Sequence, residues 1–213
     1  MPNATNHKPV LNKEKACDKI NALFRLDKTT LILLFVGRIT FQKNLQLILD
    51  ALKILSDNKV NFKMLFVGSG QDECRLISKI QSLNLEDKVI LCGKITDTTL
   101  LQNVYARAKL LLFPSLYDAS SLVQIEASCQ KTPTVFVDGA RTACGIKKDE
   151  NGFIAKPTAR DYANEIMRIL ADEELYKKVS ENCFKDLYLT WEEVVKNVYL
   201  EYLRLTNLKN KAT

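Results

Sequence analysis

Six short apolar runs divide the chain. Leu31-Ile-Leu-Leu-Phe-Val36 is uninterrupted, the pattern of a strand covered on both faces. Phe62-Lys-Met-Leu-Phe-Val67, Lys88-Val-Ile-Leu-Cys92, Lys109-Leu-Leu-Leu-Phe113 and Thr134-Val-Phe-Val137 read the same way, and Phe153-Ile-Ala155 reads as a short edge strand. Between them apolar residues return at helical spacing. Helices are predicted from Lys13 to Leu26, after Lys43 (Leu45, Ile48, Leu49, Leu52 and Leu55, capped by Asn44), over 71–83, and from Thr96 or Asp97 through Tyr105. Two more run from Ala159 to Leu170 and from Glu173 to Leu187. Thr190-Trp-Glu-Glu193 has the form of a capping box, and the stripe Trp191, Val194, Val195, Val198, Tyr202 and Leu205 behind it needs a partner surface. This alternation predicts a doubly wound α/β fold, a Rossmann-like parallel sheet with helices on both faces.

The organising stretch is Phe113 to Glu126, where an apolar run stops at Pro114-Ser115 and a helical pattern opens at Asp118. Short polar side chains at Asp118, Ser120 and Ser121 suit the first-turn amides, so a strand ending here feeds an anion site. Wound as a helix, Leu122, Val123, Ile125, Ala127 and Cys129 form an apolar arc with Gln124 and Ser128 opposite, and Glu126 falls inside that arc. A carboxylate there needs donors. The hydroxyls of a ribose or sugar would serve; the alternative is a nearby Lys or Arg that only props the helix.

In an open parallel sheet the loops after the strands line the ligand crevice. Gly37-Arg38 and Lys43 stand in such a loop, so two cations beside a helix start form a candidate diphosphate site, against the alternative of solvated loop charges. Gly68-Ser-Gly70 follows the next strand. The third glycine of a dinucleotide fingerprint would fall at Glu73, so that motif fails and the glycines mark a tight turn, with or without a ligand beside it.

At 213 residues the chain is one generous domain. The polar start, residues 1–13, reads as a linker, 14–190 as the ligand-binding domain, and 191–213 as a terminal helix and tail. The net charge of +6 comes without a basic stripe interleaved with aromatics, which suits an anionic small molecule or an acidic membrane surface and speaks against nucleic acid. The six cysteines show no C-x-x-C spacing and read as small buried hydrophobes in a reducing compartment. A single histidine, His7, in the polar leader supports neither a histidine triad nor a zinc site, so no metal is expected. No apolar run reaches membrane-spanning length and the start has no signal-peptide core, so a cytoplasmic chain is expected.

Seven separated stretches, in order, resemble the carboxyl-terminal half of the retaining GT-B glycosyltransferases of family four, also called group 1. They are Phe35-Val-Gly-Arg-Ile-Thr-Phe-Gln-Lys43, Leu65-Phe-Val-Gly-Ser-Gly70, Val89-Ile-Leu-Cys-Gly93, Phe113-Pro-Ser-Leu-Tyr-Asp118, Leu122-Val-Gln-Ile-Glu-Ala127, Thr132-Pro-Thr-Val135 and Asn151-Gly-Phe153. The resemblance implies a nucleotide-sugar donor, UDP-linked, held without metal or other cofactor. Arg38 and Lys43 would hold the diphosphate and Glu126 the ribose, all around one cavity, with Asp118 as the first acid of the family's pair. Gly37, Gly68, Gly70, Lys94, Ser121, Leu122 and Val123 would complete the substrate-binding set. Asp118 stands where the family has glutamate, and Ala119-Ser120-Ser121 replaces its Gly-Phe-Gly run. The implied reaction moves a hexose to an acceptor hydroxyl with retention, in a bacterial-type surface glycan or glycolipid pathway. An amino-terminal acceptor domain would be the partner of the terminal helix, with peripheral membrane association of the full-length enzyme at the inner face. A GT-B epimerase half and a non-catalytic binding module are the competing readings.

Overall fold

The structure is a computed structural model that describes residues 2–118 and 122–209. Six parallel strands, β1 (Leu31–Val36), β2 (Phe62–Val67), β3 (Val89–Gly93), β4 (Leu110–Leu112), β5 (Thr134–Val137) and β6 (Phe153–Ala155), form one sheet in the order β3-β2-β1-β4-β5-β6. The helices are α1 (Lys13–Phe24), α2 (Leu45–Asp57), α3 (Glu73–Ser82), α4 (Thr98–Arg107), α5 (Leu122–Cys129), α6 (Ala159–Ala171), α7 (Glu173–Leu187) and α8 (Trp191–Lys209). The doubly wound Rossmann-like reading is what the chain forms.

The uninterrupted apolar run of β1 is explained by its two faces. Leu33 and Phe35 enter one core with residues of α2, α3 and α6, while Ile32, Leu34 and Val36 enter a second core with residues of α1, α4 and α5. Every residue from Ile32 to Val36 is therefore buried, and a polar residue at any of them would lack a partner. After β3 the chain returns to the far side of β1. The strand order thus reverses between β1 and β4, and a crevice opens beyond their carboxyl ends.

Some local expectations need correction. The leader is not a free linker. Ala4, Thr5 and His7 are buried, and Thr5 donates its amide to Leu189 O (2.9 Å) in a bridge beside Thr190. Asn44 starts α2 from a left-handed conformation (φ 59°) without a side-chain cap; its Nδ2 donates instead to Pro114 O (3.3 Å). Ser128 is buried, because α5 packs against α7 as well as the sheet. Cys74 and Cys144 are exposed, while Cys129 and Cys183 are buried as expected. The capping box forms: Glu193 N donates to Thr190 Oγ1 (3.2 Å) and Thr190 N to Glu193 Oε2 (2.9 Å).

Candidate functional site

The glycines after β1 and β2 bring two loop backbones into direct contact. Gly37 N donates to Val67 O (3.0 Å), Ile39 N to Ser69 O (3.1 Å), and Asp72 N to Ile39 O (3.2 Å). A β-carbon on Gly70 would lie 2.2 Å from Ile39 O, so the Gly-Ser-Gly turn is required by close backbone approach. The Asp72 carboxylate adds to the seam by accepting from Phe41 N (2.8 Å), and Glu73 accepts from Gly70 N (2.7 Å). The loop that carries Arg38 and Lys43 is therefore fixed at both ends.

Two cavities adjoin at the end of β1 and share Val36 and Gly37. One, of about 320 Å³, is lined by Arg38, Gly68 and Lys94, with apolar walls from Val67, Ile95 and Leu101. The other, of about 240 Å³, lies at the point where the strand order reverses and is lined by Asn3, Lys43, Phe113, Asp118, Leu122 and Val123. Arg38 is exposed and Lys43 half-buried. Sequence reasoning gathered Arg38, Lys43 and Glu126 around one cavity. The structure separates them: the two cations occupy neighbouring cavities and Glu126 lines neither. Gly70 shapes the loop seam without lining either cavity, and Ser121 lies outside the described residues.

Lys43 is already engaged, donating its ammonium to the Asp118 carboxylate. Burial would push the Asp118 carboxyl up, but the bond from Lys43, with a further pull from the Ser115 hydroxyl, overrides that and holds it below the usual carboxylate range. Its second oxygen, Oδ2, is buried and has no hydrogen-bond partner among the described residues. An ammonium shared with one carboxylate oxygen, beside a carboxylate with one oxygen free, can meet an anion and a hydroxyl side by side.

Glu126 is withdrawn from water, its side chain 18% exposed, and among the described residues no Lys or Arg pairs with it. Tyr105, fully buried on α4, donates its hydroxyl to Glu126 Oε2 (2.8 Å). Burial, then the charge of Glu126 and this bond, hold the Tyr105 phenol well above its ordinary range, so it stays a donor. His7 Nε2 stands 3.9 Å from Glu126 Oε1. Sequence reasoning missed both partners. The signal was complementary need: a buried tyrosine hydroxyl requires an acceptor, and an inward carboxylate requires donors.

The family model of the glycosyl transferases group 1 matches residues 18–186. An uncharacterized glycosyltransferase of Methanocaldococcus jannaschii is 31% identical over 175 residues, covering 79% of this chain and 44% of the relative. A UDP-Gal:alpha-D-GlcNAc-diphosphoundecaprenol alpha-1,3-galactosyltransferase of Escherichia coli is 25% identical over 179 residues, covering 82% of this chain and 44% of the relative. Among solved structures, sucrose-phosphate synthase of Thermosynechococcus elongatus superposes with a TM-score of 0.79 at 27% identity, over 97% of this chain and 52% of that one. The chain spans about half the length of the relatives it matches, and its sheet is one half of a GT-B fold. With a family match across most of its length and a relative at that identity, the chain belongs to the glycosyl transferases group 1.

Proposed function

We propose that this domain holds the nucleotide-sugar donor, a UDP-hexose, for a retaining transfer to an acceptor hydroxyl in a bacterial-type surface glycan or glycolipid pathway. The observation that carries the reading is the pair of adjoining cavities at the end of β1, one offering Arg38 and Lys94 and the other Lys43 with the half-free Asp118. A diphosphate crossing the shared Val36-Gly37 wall would reach Arg38 on one side and Lys43 on the other. The apolar walls of the first cavity suit a base, Asp118 Oδ2 suits a sugar hydroxyl, and Glu126, three residues along α5 from the Val123 that lines the second cavity, takes the ribose hydroxyls as the family resemblance implies. The galactosyltransferase relative, which by its name uses UDP-Gal and a diphosphoundecaprenol acceptor, supports both the donor class and the pathway.

In this reading the departing diphosphate gathers negative charge as the glycosidic bond breaks, and fixed cations stabilise that charge more than they stabilise the intact donor. Arg38 and Lys43 have that role, the latter by turning from Asp118 to the phosphate. No general base is assigned; the leaving phosphate oxygen accepts the acceptor proton. The acceptor site belongs to the remaining half of the enzyme, and this domain binds the donor without efficient transfer by itself. The binding needs no metal, and chelation leaves it unchanged.

Calorimetric titration of UDP, GDP and NAD into the wild type, Arg38→Ala and Glu126→Ala tests the reading. UDP binding weakened by both substitutions is the expected result; binding of NAD in preference to UDP overturns it. The full-length enzyme with labelled donor and candidate acceptors then separates transfer from epimerisation.

A further inference from the structure

The docked leader brings the only histidine of the chain to the one carboxylate that the donor reading assigns to ribose. We propose that His7 is a positioning residue for Glu126, donating from Nε2 to Oε1 while Tyr105 donates to Oε2, so that each carboxylate oxygen is fixed and keeps a lone pair for a ribose hydroxyl. The inference rests on the donor reading above and extends it to a residue that no cavity or sequence motif marks.

Three observations carry it. The leader backbone is pinned on both sides of His7: Gln130 accepts from Val10 N (3.0 Å) and donates to Lys8 O (2.8 Å), Tyr188 donates its hydroxyl to His7 O (2.9 Å), and His7 N donates to Thr5 Oγ1 (3.1 Å). The imidazole is thereby held edge-on to the Tyr105 ring, centroids 6.3 Å apart, and 3.9 Å from Glu126. Finally, His7 Nδ1 is buried with no hydrogen-bond partner among the described residues. An unpaired buried lone pair is tolerated better than an unpaired buried N–H, so the proton belongs on Nε2, the nitrogen that faces Glu126. A shift of under an ångström closes the contact to hydrogen-bond length when a ribose draws the carboxylate taut.

A leader that merely filled space would need a flat side chain here, and no particular donor. The test exploits that difference. Because the chain has a single histidine, its imidazole nitrogens give one unambiguous pair of NMR signals. The expected spectrum shows a proton on Nε2, and Glu126→Gln shifts it; an imidazole unmoved by Glu126→Gln overturns the proposal. In calorimetry, His7→Phe, which keeps the ring, is expected to weaken UDP by about ten-fold while inorganic diphosphate changes less than about two-fold. His7→Gln, which restores an N–H at the same reach, is expected to recover UDP to within about three-fold of wild type. Thermal melts of each variant confirm that it folds. UDP affinity unchanged in His7→Phe, or equally lost in Phe and Gln variants that melt like wild type, overturns the role of His7 alone. A wild type that binds no UDP overturns the donor reading and this inference with it.

Discussion

The carbonyl oxygen of Gly37 occupies the place a side chain on Gly68 would need, 1.8 Å from where its β-carbon would stand. Gly68 also adopts φ +140°, outside the range of ordinary L residues. The obstacle is backbone, and that backbone is bonded to β2 through Gly37 N, so nothing flexible can yield. Gly68→Ala is expected to cost about 3 kcal/mol of stability, read from urea midpoints. It should weaken UDP as well, since the seam it disrupts carries Arg38.

The Tyr105 to Glu126 bond gives a second outcome. Tyr105→Phe removes a donor from a largely buried carboxylate without leaving a cavity, and should cost about 1–2 kcal/mol. The same phenol affects the alkaline limit. Burial holds Tyr105 well above its ordinary range and pushes Tyr188 up to about 12, so above pH of about 10 the unfolded chain loses protons that the folded chain keeps. Stability is then expected to fall as pH rises past that point. In a spectrophotometric titration, Tyr105→Phe should leave the tyrosinate absorbance that develops before unfolding unchanged.

The strands were legible because burial on both sheet faces demands mainly apolar runs, and β1, β2, β5 and β6 form with the ends that the pattern predicts. The inward placement of Glu126 was legible from helical phase alone. What escaped were relations that periodicity does not encode. The polar leader is docked, with Ala4, Thr5 and His7 buried, because its backbone finds partners in Leu189, Gln130 and Tyr188, residues more than 100 positions away, and not because it is apolar. The cap expected of Asn44 failed because a carbonyl across the crevice, Pro114 O, lay within its reach. The common cavity failed for a similar reason: Val36 and Gly37 form a wall between Arg38 and Lys43 that only the folded sheet end reveals.

Lys43 and Asp118 predict the acid limb. The Asp118 carboxyl lies below the usual range in the fold, so its contribution is present above pH of about 4 and is lost as pH falls through the folded value. Lys43→Met removes the ammonium but neither the burial nor Ser115, and should raise the Asp118 carboxyl from where it lies in the wild type. Carboxyl carbon NMR titration reads this directly. The same variant should weaken UDP by about ten-fold and lower neutral-pH stability by about 1 kcal/mol, a loss limited because the pair is partly solvated.

The last prediction concerns α8. Its first turn is secured by the Thr190–Glu193 box and by Val194, buried to 2% exposure, but Val195, Tyr199, Leu200, Tyr202, Leu203 and Leu205 stand exposed. A helix draws most of its stability from packing an apolar face, and beyond Val194 this one has little to pack on. No described helix is long and apolar enough to cross a membrane, so a membrane span does not account for that face. Amide hydrogen exchange should therefore find the first turn protected and protection fading beyond Val198. Shortening the chain after Val198 is expected to change the urea midpoint by less than about 0.5 kcal/mol equivalent, whereas Val194→Asp should cost about 3 kcal/mol by placing a charge in a buried site. Strong protection throughout residues 199–206 in a monomeric sample would show that the exposed stripe is packed in solution and would refute this account of the helix.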